Sequence, residues 1–201
     1  AQNRPLDSAE VAKIKADYRA FRAKARATYS GNIFPNGGPS ALDVTTEERE
    51  REYENRWHTG GLGLMGAFQD LQLNQASNET AAEFVRSKIR KIVKDPEVAR
   101  KLSPTNTFGC KRLCVATNYY ETYNRDNISL IDLNDTPIKC ITENGVRTTK
   151  CDHDADILIL ATGFDAMTGA LLNIDIVGRD GITIKDIWRE GPKTYLGLQI
   201  Y

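Results

Sequence analysis

Histidine and cysteine are scarce in this sequence, and long apolar runs are missing. Only two histidines, His58 and His153, and four cysteines stand among 201 residues. With so few histidines, and no serine in a Gly-x-Ser-x-Gly setting, a hydrolase triad has little to stand on. The cysteines, Cys110, Cys114, Cys140 and Cys151, form no Cys-x-x-Cys pair. They read as free thiols of a reduced, cytoplasmic protein, not as a disulfide frame. No apolar stretch approaches the roughly 20 residues that span a bilayer, and no signal-peptide core is visible. Charge of one sign is missing as well. The 27 Lys and Arg balance the 27 Asp and Glu, which speaks against nucleic acid or a membrane surface as partner. Ala1-Gln2-Asn3-Arg4-Pro5 starts without an apolar core, and Gly197-Leu198-Gln199-Ile200-Tyr201 stops inside an apolar segment. The expectation is an internal piece of a longer polypeptide, whose remainder is its first partner.

What is present divides into a helical part and a β-rich part. Asp7 with Glu10 has capping-box spacing, and Val11, Ile14, Tyr18, Phe21 and Ala25 then recur at helical intervals. Gly31 to Ser40, rich in glycine and proline, reads as a loop. Thr45 with Glu48 is a second capping box, and Tyr53 and Trp57 are an i, i+4 aromatic pair on the helix it opens. A third helix is predicted over Leu64 to Leu73. A fourth should start near Asn78 and bury Phe84, Val85, Ile89, Ile92 and Val93. Asp95-Pro96-Glu97 caps a short fifth helix ending at Leu102. Beyond Ser103-Pro104 come short β-rich runs at Leu113–Val115, Ile128–Ile131, Ile138–Ile141 and Val146–Thr149. Glu143-Asn144-Gly145 is the turn of a hairpin between the last two, because Asn-Gly tolerates positive φ. Ile157-Leu158-Ile159-Leu160 has no alternation and predicts a strand buried on both faces of a parallel sheet. Ala161-Thr162-Gly163 ends it abruptly, and ligands of open α/β sheets sit at such carboxyl ends.

Some motifs are decoys. Gly61-Leu62-Gly63-Leu64-Met65-Gly66 matches the dinucleotide fingerprint, but a charged helical segment precedes it where a buried strand is required. It reads as a tight bend between packed helices. Cys151-Asp152-His153-Asp154-Ala155-Asp156 gathers metal-capable types at a spacing that fits no zinc or calcium frame, so a polar turn is preferred to a metal site. Lys111-Arg112 follows Phe108-Gly109-Cys110 and precedes a β-rich run. By composition the pair is an exposed charge couple; by position, cations at a loop–strand junction can meet a phosphate. Trp188 lies in a glycine- and proline-bounded stretch and is either a core anchor or a loop residue.

Ala161-Thr162-Gly163-Phe164-Asp165-Ala166-Met167-Thr168-Gly169-Ala170-Leu171 resembles the Ala-Thr-Gly segment of flavin-dependent Baeyer–Villiger monooxygenases of the cyclohexanone and phenylacetone monooxygenase kind. Lys111-Arg112 with Thr117 to Asn127, the Trp57-His58-Thr59-Gly60-Gly61 stretch and Asp186 to Gly197 resemble the same family. The similarity runs from about Asn3 to Tyr201. It implies an α/β fold: a helical insertion plus part of a Rossmann-like flavoprotein that binds two dinucleotides. On this basis residues 1–104 are the helical insertion of the NADP domain, 105–155 its late strands, and 156–201 the return to the FAD domain. The implied activity uses NADPH, FAD and O₂ to convert a ketone to an ester or lactone through a flavin C4a-peroxide. Lys111 would recognise the 2′-phosphate of NADPH, and Arg112, beside flavin and nicotinamide, would be the catalytic cation. Thr162, Gly163, Phe164 and Asp165 would lie against cofactor, and Trp188 would close over NADP. The family's glycine-rich cofactor loops, its Phe-x-Gly-x-x-x-His-x-x-x-Trp signature and its ketone-pocket segment are missing from these residues. The 201 residues alone are therefore not expected to be active. Two other readings stay open: an N-hydroxylating or NADPH-oxidising flavoprotein, and a non-catalytic helical α/β interaction module.

Overall fold

The computed structural model describes residues 7–28, 31, 33 and 37–195. Both chain ends named above lie outside these residues. The chain forms two compact units, 1–135 and 136–201.

The first unit is helical. Helix α1 (Ser8–Ala16) opens on the expected Asp7 capping box. The apolar spacing from Val11 to Ala25 predicts one continuous helix, but Asp17 interrupts it with φ −136° and ψ 58°. Its carboxylate accepts the Ala20 N–H at 3.1 Å and so starts α2 (Tyr18–Arg26). An aspartate that binds its own downstream backbone offers the chain a cap in place of a continuous helix. Neither helix buries a residue. Helix α3 (Thr46–Thr59) starts at the Thr45–Glu48 capping box, with both reciprocal bonds formed at 3.2 and 3.0 Å. It ends at Gly60, whose φ of +77° needs glycine.

The fingerprint-like glycines then make the tight bend. Gly63–Gly66 is a single 3₁₀ turn with Leu64 buried. The helix predicted over Leu64 to Leu73 is confined to that turn; the rest is irregular, held by the Asp70 carboxylate. That carboxylate accepts from Ser40 Oγ at 2.7 Å, the Ala41 N–H at 3.1 Å and Ser77 Oγ. Apolar content there serves packing, not periodicity: Ala67, Phe68 and Leu71 are all core residues. Gly37 passes so close beneath that an added Cβ would sit 1.7 Å from Ala67 O.

Helix α4 (Gln75–Ile92) starts before Asn78, because Asn74 caps it by accepting the N–H groups of Ala76 and Ser77. Helix α5 (Pro96–Leu102) carries Asp95 as cap and proline in its first turn, as predicted. Tyr53, Phe68 and Phe84 form the centre of the main core, with ring centroids 5.5 and 5.3 Å from Tyr53, and Trp57 meets Phe84 edge-to-face from the rim. The buried Tyr53 hydroxyl bonds Thr80 Oγ1 at 2.7 Å. A smaller cluster joins Ile89 and Val93 to Ala99 of α5 and to Tyr120 and Tyr123 around α6 (Tyr119–Thr122).

The second unit holds the hairpin. Strands β1 (Ile138–Thr142) and β2 (Gly145–Thr148) pair antiparallel, with Thr142 opposite Gly145 across the Glu143-Asn144 turn. The Cys151–Asp156 stretch supplies a third strand, β3 (Asp152–Asp154), beside β2. An Arg147–Asp152 ion pair, with N···O distances of 2.6 and 2.7 Å, crosses that pairing. Helices α7 (Gly169–Leu172) and α8 (Ile184–Ile187) follow. The predicted strand Ile157–Leu160 is absent as a strand and exposed, Ile157 to 80% and Ile159 to 82%. A segment apolar on both sides needs a neighbour on each side, and no described element provides one. Leu113–Val115 and Ile128–Ile131 likewise form no ladder; β-propensity alone does not pair a strand.

Candidate functional site

The site is built around the turn that precedes Lys111. Thr107 C=O accepts the Cys110 N–H at 3.1 Å, and Gly109 between them has φ +81°. A turn with positive φ at its third residue calls for glycine there. Asn78, 4% exposed on the buried side of α4, grips this turn from below. Its Oδ1 accepts the Phe108 N–H at 2.9 Å, and its Nδ2 donates to Phe108 O at 2.8 Å and Leu71 O at 2.7 Å. Gln72 Nε2 donates to Phe108 O at 3.3 Å and lies over Gly109. Phe108 itself is buried in the main core.

From this turn the chain enters a groove of about 660 Å³. Lys111 and Arg112 line it, both exposed. Its other walls include Trp57, the Gly60-Gly61 bend, Val85 and the Tyr119–Tyr120 pair. Arg56 lines it too, but its guanidinium is 6% exposed and committed to Glu52 at 2.7 Å. The positive charge this groove offers to a ligand therefore comes from the adjacent Lys111 and Arg112, with the exposed Glu121 carboxylate also on its lining. Beside them, burial raises the Tyr120 phenol, helped by Tyr119 and by Cys114. The hydrogen bond between the Tyr123 and Tyr119 hydroxyls, at 2.9 Å, together with burial pushes Tyr123 up to about 12. Both phenols are thus held further toward the neutral form than a free tyrosine, and Tyr120 lines the groove beside Tyr119.

The other predicted residues belong to the second unit. Thr162, Gly163, Phe164 and Asp165 are exposed. Gly163 has φ +85° and open space around its missing Cβ, so its backbone face is accessible to a ligand. Asp165 accepts from Asn173 Nδ2 at 2.7 Å. Trp188 is buried, 7% exposed, directly after α8. Its indole N–H donates to Lys193 O at 3.1 Å, so in this conformation the N–H is committed to its own loop. The structure thus brings Lys111 and Arg112 onto one groove and places Trp188 in a packed position. The four cysteines are free and exposed, and no metal-holding group of His, Cys, Asp and Glu occurs among the described residues. No helix among them is long and apolar enough to cross a membrane.

Sequence reasoning missed Asn78 and Gln72. The signal was available for Asn78: it is a polar residue in register with Ala81, Ala82, Val85 and Ile89, on the apolar stripe of α4.

No protein-family model matches the chain. Among its relatives is a Baeyer–Villiger monooxygenase of Pseudooceanicola batsensis, 41% identical over 199 residues, which cover 98% of this chain and 36% of the relative. A phenazine N-monooxygenase of Lysobacter antibioticus is 40% identical over 201 residues, covering 98% of this chain and 37% of the relative. Among solved structures, OTEMO in complex with FAD and NADP superposes with a TM-score of 0.90 at 41% identity, over 98% of this chain and 37% of that one. The chain thus spans little more than a third of the length of these proteins.

Proposed function

We propose, from its homology over nearly all of its length to the flavin-dependent Baeyer–Villiger monooxygenases, that this chain is the part of such an enzyme that grips NADPH and sets a cation beside the reacting carbonyl. The observation that carries the reading is the adjacent Lys111 and Arg112 on one groove wall, the groove's available cationic pair. In this reading residues 1–104 are the helical insertion of the NADP domain, 105–155 its later part and 156–201 the return to a Rossmann-like FAD domain. The remaining length of the polypeptide supplies the glycine-rich cofactor loops and the ketone pocket. The protein works in the cytoplasm on a small ketone and O₂.

The residues present fit an anionic nucleotide. Lys111 offers a compact, freely rotating ammonium to the 2′-phosphate. The aromatic flank of Trp57 and Tyr119 gives a wall on which a ring system can lie. FAD, when bound, supplies the oxygen-activating chemistry. Arg112 holds the negative charge that develops on the former carbonyl oxygen as oxygen adds to the ketone, and a guanidinium keeps its proton throughout. Thr162 to Asp165 offer an open backbone face to cofactor. Trp188, released from its bond to Lys193, would cover bound nucleotide.

The test is a chimera in which these 201 residues replace the matching stretch of the Pseudooceanicola enzyme. NADPH-dependent ester formation from a ketone that the host oxidises is the expected result. Lys111→Ala should raise KM for NADPH and leave NADH use nearly unchanged, as loss of one charge-assisted contact worth roughly 1.5–3 kcal/mol predicts. Arg112→Ala should cut ester formation by on the order of 10²–10³ while flavin reduction by NADPH suffers less. Wild-type ester yield from Arg112→Ala would remove the central residue from the assignment. Oxygen transfer to nitrogen is the second reading, favoured by the Lysobacter relative. A chimera that forms N-oxide from a heteroaromatic amine and no ester would favour it.

A further inference from the structure

We propose that Asn78 is a positioning residue for the Lys111-Arg112 pair: its buried side-chain amide holds the Phe108-Gly109 turn from which both cations enter the groove. Its bearing on NADPH rests on the proposed function; its bearing on the turn does not.

The geometry is unusually complete for one side chain. Both polar atoms of Asn78 are used, and two of its bonds go to the N–H and C=O of the same residue, Phe108. A side-chain amide that brackets one residue in this way mimics a neighbouring strand and restrains both peptides that flank Phe108. The third bond, to Leu71 O, anchors the amide itself. Such a fully satisfied buried group is costly to disturb, because the peptide left behind has no water to replace it.

The bracketed residue matters because the two cations lie just beyond it in the chain. Phe108 is three residues before Lys111 and four before Arg112. Its ring is 6% exposed in the main core, so the turn is fixed at the ring and at the peptide together. Gly109 then reverses the chain with φ +81°, and Cys110 N–H closes the turn on Thr107 O at 3.1 Å. An added Cβ on Gly109 would meet Gln72 Nε2 at 2.6 Å, so the turn is also packed from outside. Beyond Cys110 the two cations are exposed, and among the described residues no hydrogen bond or ion pair restrains their side chains. Their direction is therefore set by the backbone behind them, and the rigid element behind them is the Asn78–Phe108 bracket. The same amide also ties α4, whose Val85 and Ile92 line the groove, to the loop that carries the cations.

The prediction separates positioning from general stability. In the chimera that carries these 201 residues within the Pseudooceanicola enzyme, amide hydrogen exchange would be read at Phe108 and Cys110, and affinity would be read for 2′,5′-ADP and for 5′-AMP. Asn78→Ala should speed exchange at both amides by about tenfold or more, as the loss of a bracketed buried peptide bond implies. It should weaken 2′,5′-ADP by about tenfold while 5′-AMP changes little, since only the former carries the 2′-phosphate. Ala81→Gly, on the same helix and also fully buried, is the control for mere destabilisation. It should leave the preference for 2′,5′-ADP unchanged. Gly109→Ala disturbs the same turn without touching Asn78. It should also speed exchange at Cys110 and lower 2′,5′-ADP affinity, and it decides the matter if Asn78→Ala does not fold. Unchanged exchange at Cys110 in the folded variants, or an equal shift of nucleotide preference in Ala81→Gly, would overturn the assignment. An unsubstituted chimera that does not distinguish the two nucleotides would count against the NADPH reading alone, and the exchange data would still decide the role of Asn78.

Discussion

At the scale of single residues, polar groups placed among apolar neighbours do most to define the first unit. Asp70 is the clearest case. Partial burial pushes its carboxyl up, but the hydroxyls of Ser77 and Ser40 and the Ala41 N–H outweigh this and leave it below its ordinary value of 3.8. A carboxylate lowered in the folded state stabilises it fully above that ordinary value. The contribution is lost as pH falls below it, through the depressed value. Asp70→Asn should therefore cost about 1.5–3 kcal/mol near neutral pH, the range for hydrogen bonds to a charged group. Its deficit against wild type should shrink on acidification, as urea melts at neutral pH and at about pH 3 would show. A constant deficit would mean that the charge on Asp70 plays no part. Trp188 makes a second residue-scale case. With its ring packed in the second unit and its N–H on Lys193 O, Trp188→Ala should lower the stability of that unit by about 3–5 kcal/mol. Trp188→Phe should lose less, and near-wild-type stability of the alanine variant would show a ring that spends its time outside the packed position.

At the scale of elements, helix starts are governed by local caps. The Thr45 and Asp7 capping boxes and the Asp95-Pro96 start are all formed where the sequence places them. Helix α4 obeys the same rule at a residue that the apolar stripe does not mark. Asn74 takes up two N–H groups, at 2.9 and 3.3 Å. Asn74→Ala should cost about 1 kcal/mol in urea denaturation. A change below about 0.3 kcal/mol would mean that water replaces the cap, since exposed surface changes usually stay within a few tenths. At its other end α4 is tied by Asn124, which donates to Ile92 O and accepts the Lys94 N–H, both at 2.8 Å. The α1–α2 break shows the limit of periodicity: five apolar residues keep helical spacing across Asp17, yet one carboxylate turns the chain. Strands are the least legible elements. The hairpin forms because Glu143-Asn144 makes a local reversal and Gly145, with φ +151°, starts β2 beyond it; Leu113–Val115 and Ile128–Ile131 have no such local partner.

At the scale of the molecule, the exposed Ile157–Leu160 stretch is the largest departure from expectation. Four aliphatic side chains in water are a hydrophobic liability unless another element covers them. In the proposed enzyme that cover is the rest of the FAD-domain sheet. The joint change Ile157→Asn and Ile159→Asn should leave the melting temperature of the 201-residue chain nearly unchanged and reduce its self-association. In the chimera the same pair should sharply lower the yield of folded protein. Equal tolerance in both settings would show that the stretch is never a buried strand.

The sequence by itself determined what depends on neighbours a few residues apart. Caps, the Asn-Gly hairpin and the proline-started α5 were legible because each is closed by bonds within four residues. The similarity to the monooxygenases was legible because a run of specific side chains survives as a string. Tertiary structure alone decided the rest. Asn78 reaches Phe108 across 30 residues, and the Asp70 carboxylate reaches Ser40 across 30 in the other direction. No spacing rule connects such partners, since burial and contact between distant segments are set by how the whole chain packs. For the same reason an apolar string could announce a strand in Ile157–Leu160 but could not supply the neighbours that would bury it.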